Sequence, residues 1–478
     1  MKPQTLIAHI GLVIILMVSG GCTVGPDYVK PEISEITPET YKELAGWKLA
    51  QPQIAASNQN WWEIYQDPLL NRLVEQVSIS NLTVAVAEAR FRQARALVQS
   101  ARSGRYPSLG GGAAATRTRV SENPGPGGTF STLQLPLDFS WELDLWGRVR
   151  RNVEASQANA QASAADLAAV RLSAQAGLAD AYFQLRVLDA QKDLLEATTD
   201  VYRKALEITK SRYTAGVITR VDVLQAETQL KSTEAQTIDL GVQRARLEHA
   251  IALLIGKPPA AFSLAPKSLT TTIPEIPAGL PSELLERRPD IAAAERSMAS
   301  ANAQIGVARA AFYPTVQISA TAGFSASSLA NLLEWPSRFW SIGPLASTPL
   351  YDGGLRDAQT EQALAAYDAS VASYRETVLK AFQEVEDNLS ALRILENEAA
   401  VQTQAVDGAQ QVVEITNNQY QSGSVPYLNV LIAQSTALAN QNTALNILGR
   451  RLSASVLLVK ALGGDWNDVS SHRSQTVN

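Results

Sequence analysis

The sequence predicts a mainly α-helical protein with a transmembrane β-barrel, built from two tandem copies of one structural unit. Three observations lead there. One offset of 207 residues, that from Gly216 to Gly423, superposes anchor residues along most of the chain. Two very long stretches, Arg148–Thr214 and Arg356–Gln421, contain no proline and only one glycine each, Gly177 and Gly408. Short segments before them alternate apolar and polar residues with period two, the signature of a strand with two unlike faces.

The repeat organises the rest of the chain. At the common offset Glu88 meets Glu295, Ala101-Arg102 meets Ala308-Arg309, and Tyr106-Pro107 meets Tyr313-Pro314. Leu143 meets Leu350, Gly147 meets Gly354, Tyr213 meets Tyr420 and Gly256 meets Gly463. Scattered coincidence in an Ala-rich chain would not hold one register. The division that follows is a leading segment 1–21, an N-terminal segment 22–68, a first repeat 69–256, a linker 257–280, a second repeat 281–463 and a tail 464–478.

Each repeat runs through the same elements. Helical spacing covers about 69–103 and 281–311 and stops at an aromatic-Pro pair, since proline disfavours helix at the residue before it. Strands follow. Leu133, Leu135, Leu137, Phe139, Trp141, Leu143 and Leu145 alternate with Gln134, Pro136, Asp138, Ser140, Glu142 and Asp144. In the second repeat Val316, Ile318, Ala320, Ala322 and Phe324 alternate with Thr315, Gln317, Ser319, Thr321 and Gly323. Their Gly- and Pro-rich partners fall near 107–118 and 337–350, with a turn-rich loop at Ser121–Gly128. Two helices of some 65 residues, each about 100 Å long, come next. Gly216 and Gly423 end them, and return helices over about 219–255 and 426–462 stop at Gly256 and Gly463.

Four strands with one lipophilic face cannot close on themselves, and membrane barrels start at about eight strands because open edges in lipid leave backbone groups unsatisfied. Three copies would supply 12 strands and an acidic-polar lumen. The competing reading is a periplasm-spanning scaffold lipoprotein with ordinary surface hairpins.

The N-terminus bears on location. Lys2 precedes the apolar run Ile10–Val18, too short to cross a bilayer but suited to a signal-peptide core. The run ends in "SGGC", and Cys22 is the only cysteine, which predicts a lipoprotein acylation site carrying S-diacylglycerol and an N-acyl chain; a small buried cysteine is the alternative. The net charge of −5 shows no basic stripe, so nucleic acid is not an expected partner. His9, His249 and His472 form no cluster with Cys22 that would hold a metal, no phosphate-cradling Gly-rich loop is present, and the carboxylates alternate along a strand rather than converge. The expectation is therefore a protein without cofactor or catalytic site.

These residues resemble the TolC-like outer membrane efflux proteins, in particular the lipoprotein (NodT/OprM-like) branch that serves resistance-nodulation-division pumps. The resemblance is carried by "GCTVGPDYVKP" (Gly21–Pro31), "NWWEIYQDPLLNRLVEQ" (Asn60–Gln76), "LDLWGRVR", "ERRPDIAAAE", "AFYPTVQIS" and "YDGGLRDA". It implies a homotrimer with a 12-stranded outer-membrane barrel continuous with a periplasmic helical barrel, and an equatorial belt built from the N-terminal segment 22–68, the linker 257–280 and the C-terminal tail. It also implies passive conduction of drugs or other toxic small molecules from an inner-membrane pump through a periplasmic adaptor, with type I protein secretion or heavy-metal efflux as alternative cargoes.

On the same resemblance the two Tyr-x-x-Gly turns are periplasmic tips. Gly216, Val217 and Ile218, with Gly423, Ser424 and Val425, would meet the adaptor. Leu428, Asn429 and Ile432, with Asp222, would line the constriction, which here lacks the second-tip aspartates many relatives carry. A latch is expected from a Tyr420–Asp222 hydrogen bond, with Arg220 assisting because Val425 replaces an arginine found in some relatives.

Overall fold

The structure, a computed structural model, describes residues 23–30, 37–38, 40–42, 60–121, 123, 127–267, 269, 273–274, 276 and 287–464. Cys22, the signal segment 1–21, residues 31–36, 39 and 43–59 of the N-terminal segment, residues 268, 270–272, 275 and 277–280 of the linker, residues 281–286 of the expected helix 281–311 and residues 465–478 of the tail lie outside the described residues. The elements run α1 (Pro68–Ser80), α2 (Leu82–Ser103), β1 (Ser108–Gly111), β2 (Ala114–Val120), β3 (Gly128–Leu143), α3 (Arg148–Thr214) and α4 (Arg220–Leu254). The second repeat gives α5 (Pro289–Ala310), β4 (Thr315–Ala326), β5 (Arg338–Ser347), α6 (Leu355–Gln421) and α7 (Tyr427–Ala461). Both long helices have 67 residues and both return helices 35.

Contacts divide the chain into two compact units: Met1–Glu32, Arg90–Ala164 and Ala293–Arg375 form one, and Ile33–Ala89, Ala165–Ala292 and Glu376–Asn478 the other.

The first unit contains the antiparallel sheet, in which β1 and β2 both pair with β3, then β4, then β5. β1 and β2 keep one register on β3 (Gly111 opposite Leu137, Ala114 opposite Gln134), so they are one strand interrupted at Gly112-Ala113. The interruption has a chemical cause. Gly112 donates to the Pro136 carbonyl at 3.0 Å, but Pro136 has no N–H to return the bond. The predicted four strands are thus present.

Direct antiparallel partners share a face, so the register sorts the whole sheet. One face carries Leu137, Ala322 and Trp340 on one row, Leu109, Phe139, Ala320 and Ile342 on the next, then Trp141, Ile318 and Pro344. The other carries Gly110, Asp138, Thr321 and Ser341, then Ser108, Ser140, Ser319 and Gly343. Thr321 donates to Asp138 at 2.7 Å, and Gln317 donates to Ser140. In these rows the lipophilic and polar faces expected from alternation are continuous across β1, β3, β4 and β5.

The same unit binds the segment directly after position 22. Val24 N–H donates to the Trp146 carbonyl (3.1 Å), and buried Arg151 donates to Asp27 (2.7 Å). Gly25 sits at φ +101°, and a methyl added there would lie 2.5 Å from the Gly306 Cα, so two glycine backbones touch. Tyr28 donates to Glu295; burial, then that carboxylate, pushes its phenol well above the ordinary tyrosine range.

The second unit shows why the first helix is broken, where periodicity had suggested one helix over 69–103. Asn81 adopts extended backbone (ψ 123°). Its carbonyl side chain accepts from Val84 N–H (3.0 Å) while its amide donates to the Leu254 carbonyl (2.7 Å), so Asn81 starts α2 and ties it to the end of α4. At the head of α1, Asp67 accepts from the Leu69 and Leu70 amides and from Tyr182 Oη at 2.6 Å. Burial alone would raise the Asp67 pKa, but these donors outweigh it and hold the carboxyl below its ordinary value. Residues 264–267 are pinned by a buried network: Arg186 pairs with Asp189 at 2.8 Å and donates to the Ala265 carbonyl, and Arg244 bridges Asp189 and Glu248. The "ERRPD" motif has a parallel task, because Arg288 reaches Asp290 (2.6 Å), Glu384 (2.7 Å) and the Ala461 carbonyl (3.0 Å).

Candidate functional site

All predicted tip residues belong to the second unit. The two turns are built alike. At the first, Gly216 N–H donates to the Tyr213 carbonyl (2.9 Å) and Val217 N–H to that of Arg212 (3.0 Å). At the second, Gly423 donates to Tyr420 (3.1 Å) and Ser424 to Gln419 (2.9 Å). Both glycines are left-handed, at φ +74° and +79°, with open space around them, so backbone conformation and not crowding calls for glycine.

The turns diverge at the return helices. Thr219 caps α4, and Asp222 Oδ2 accepts from the Thr219 backbone N–H (2.9 Å) and hydroxyl (2.7 Å), a complete capping box. The equivalent of Thr219 is Pro426, and α7 begins without a side-chain cap. Tyr427 holds the start of α7 instead. It is buried with Tyr202, Leu206, Ala226, Leu230, Tyr420, Val430 and Leu431 in one apolar cluster, and Val425 packs against it. The Tyr420 and Tyr427 rings lie 5.3 Å apart, and the Arg212 guanidinium stacks 4.7 Å from the Tyr420 ring centre. Burial, then the neighbouring Tyr420 and Tyr202, pushes Tyr427 up to about 12.

The expected latch is corrected by this geometry. No Tyr420–Asp222 hydrogen bond forms: the Tyr420 hydroxyl is buried without a partner, and Asp222 is turned back to cap its own helix. A carboxylate three residues into a helix satisfies an orphan N–H at its own N-terminus at little entropic cost, whereas reaching Tyr420 would leave that amide open. Arg220 is exposed and, among the described residues, makes no ion pair; Arg212 is the arginine that meets Tyr420.

The predicted constriction residues of the second tip do share a face. Leu428, Asn429 and Ile432 are all exposed on α7, while Tyr427, Val430 and Leu431 point into the cluster. Ile432 borders two open grooves, one against α4 with Val221, Leu224 and Thr228, the other against α6 with Val412 and Thr416. Of the predicted adaptor contacts, Val217 is 71% exposed, and Gly216, Gly423 and Ser424 are exposed, while Ile218 and Val425 are half-buried. Sequence reasoning missed Arg212, Tyr202 and Tyr427. The one signal available was the exchange of Arg220 for Tyr427 at equivalent positions, a charge replaced by an aromatic ring.

Fold and tips together define a class. The chain belongs to the outer membrane efflux protein family, whose profile matches residues 73–257 and 280–464, two segments again separated by 207 residues. It is an outer membrane transport protein. Among its relatives, the solvent efflux pump outer membrane protein SrpC of Pseudomonas putida is 32% identical over 95% of this chain and 97% of its own. The pyoverdine export outer membrane protein OpmQ of Pseudomonas aeruginosa is 31% identical over 86% of this chain and 88% of its own. Among solved structures, the outer-membrane channel OprN aligns with a TM-score of 0.87 at 32% identity, covering 93% of this chain and 99% of that one.

Proposed function

We infer that three copies of this chain close into one tube that conducts small toxic organic molecules across the outer membrane. The pump would be of the resistance-nodulation-division type, reached through a periplasmic adaptor. The observation that carries the reading is the sheet. One chain presents four strands with two free edges, β1/β2 and β5, and one face that is apolar from Leu133 to Leu143. From Leu133 to Leu143 that face runs about 34 Å along β3, or about 25 Å upright at a tilt near 40°, the height of the apolar band of an outer-membrane barrel. Lipid leaves an open edge unsatisfied, so closure must come from further copies. The polar face with Asp138 and Glu142 then lines the lumen. Efflux of organic molecules is supported by the solvent, toluene and pyoverdine functions named for the relatives.

Leu428, Asn429 and Ile432 form the narrow point, where apolar side chains oppose ion leak by dewetting. The exposed turns at Val217 and Ser424 meet the adaptor, and Cys22 carries the lipid. Purified protein should be trimeric and form pores in planar bilayers. Ile432→Ala with Leu428→Ala should raise single-channel conductance severalfold, and Asn429→Asp should raise cation selectivity. A monomer without pores would overturn the reading in favour of a scaffold lipoprotein. A deletion strain should become sensitive to organic solvents and antibiotics, and the mass of the N-terminal peptide reports acylation of Cys22.

A further inference from the structure

The five strands contain five charged residues, and the register segregates them completely. Asp138 and Glu142 lie on the polar face, in rows with Thr321 and Gln317. Arg117 and Arg119 lie opposite Ser131 and Thr129, continuing the odd-numbered row of β3 that holds Leu133, Leu135 and Leu137. Arg338 lies opposite Phe324, which lies opposite Leu135, and so belongs to the same apolar face. All three cations also sit at one end. Arg117 and Arg119 are within the last four residues of β2, and Arg338 is the first residue of β5. This is the end joined by the hairpin loops, opposite to where α2, α3, α5 and α6 join the strands.

An arginine on a lipid-facing surface is costly at mid-bilayer and neutral or favourable at the interface. Arg117 and Arg119 are exposed and, among the described residues, make no ion pair. Arg338 stacks over the Trp335 ring and donates to the Trp335 carbonyl at 2.8 Å, while Trp335 itself is 73% exposed, as in the aromatic girdle of a barrel. Among the described residues of the two hairpin loops the only carboxylate is Glu334. Among the described residues none of the three arginines forms an ion pair, and a planar guanidinium is suited to bidentate contact with phosphate.

We propose that Arg117, Arg119 and Arg338 form a basic rim that binds phosphate-bearing lipid head groups of the outer leaflet. The proposal rests on the reading that the apolar face meets lipid. β2 and β5 are the two edge strands, so closure of the tube places Arg338 of one copy beside Arg117 and Arg119 of its neighbour. Each seam then offers three guanidinium groups to one head group, and lipid and trimer stabilise each other.

The test compares lipid binding by the purified trimer, followed by native mass spectrometry and thermal melting. The probes are a bis-phosphorylated glycolipid, the same glycolipid without phosphates, and inorganic phosphate. The phosphorylated glycolipid alone should bind tightly and raise the melting temperature. Arg117→Gln/Arg119→Gln/Arg338→Gln should bind it roughly 100-fold more weakly, each arginine accounting for about 5-fold. The triple Lys variant should keep most of the binding and serves if the Gln variant fails to fold, as do the single Gln variants. Equal binding of phosphorylated and dephosphorylated lipid, unchanged binding in the Gln variants, or an equal effect of inorganic phosphate would overturn the proposal. Pore formation is measured in parallel: intact pores with an unresponsive rim refute the rim alone, whereas no pores in the wild type refute the channel reading.

Discussion

At the first tip, Gly216 leads to Thr219 and Asp222, which close a capping box within four residues, and Arg220 stands exposed between them. At the second, Gly423 leads to Pro426 and Asn429, no side chain caps the helix, and Tyr427 fills the place of Arg220 in the interior. Tyr213 is 45% exposed, while its equivalent Tyr420 is 9% exposed under the Arg212 guanidinium. Duplication therefore preserved the backbone turn, which one left-handed glycine suffices to specify. It did not preserve the way each return helix is started. The first helix start is held locally by hydrogen bonds, the second by burial of aromatic rings drawn from both hairpins. This difference leaves Leu428, Asn429 and Ile432 free on the outer face of α7, because its anchoring is done from the opposite face.

The two tips should differ most in their response to substitution at Tyr427. Tyr427→Ala should destabilise the tip by about 3–5 kcal/mol, the usual loss for a buried aromatic. Arg220→Ala at the equivalent position should stay within about 0.5 kcal/mol. Hydrogen exchange of the tip amides measures both, and equal effects would remove the asymmetry.

Alkali should separate the tips next. Burial holds Tyr427 protonated up to about 12, against an ordinary value of 10.0. The folded tip thus keeps a proton that the unfolded chain releases above pH 10, so this stabilisation is complete below pH 10 and is lost as the pH rises toward 12. Protection of α7 amides should fall over that window before protection of the first turn of α4.

A smaller effect falls on the first tip. Asp222→Ala removes the capping box and should cost about 1 kcal/mol, fraying α4, whereas Asn429→Ala should leave the stability of α7 nearly unchanged. The smallest effect is the sharpest for mechanism. Tyr420→Phe deletes a hydroxyl that has no partner, so stability and single-channel conductance should both stay at wild-type values. A rise in conductance would restore the Tyr420–Asp222 latch.

Most of the architecture was legible because its determinants are local. Gly216, Gly256, Gly423 and Gly463 stop helices through backbone conformation, and all four have positive φ. The observed ends of α3, α4, α6 and α7 fall within one or two residues of the expected ones for that reason. The strand faces were legible because period two is written in the residue types. Two features were not. Asn81 breaks the first helix only because the Leu254 carbonyl, 173 positions away, is there to accept its amide. Pro136 interrupts its neighbouring strand only because Gly112 happens to face it.

The candidate site divides along the same line. Sequence alone determined the duplicated turns, the two-faced strands and the position of α7 residues 428, 429 and 432 on one side of a helix. Tertiary structure decided which partners the polar groups take. Asp222 had two outlets, its own helix start or Tyr420, and the nearer N–H prevailed. Tyr420 had a hydroxyl to satisfy and gave it up for ring contacts with Tyr427 and Arg212. The alignment of Arg117, Arg119 and Arg338 on one face is likewise invisible until strand register is known, because each lies in a different row on one of two edge strands. Local chemistry states what a residue is able to do; packing across long sequence distances selects which of those options it takes.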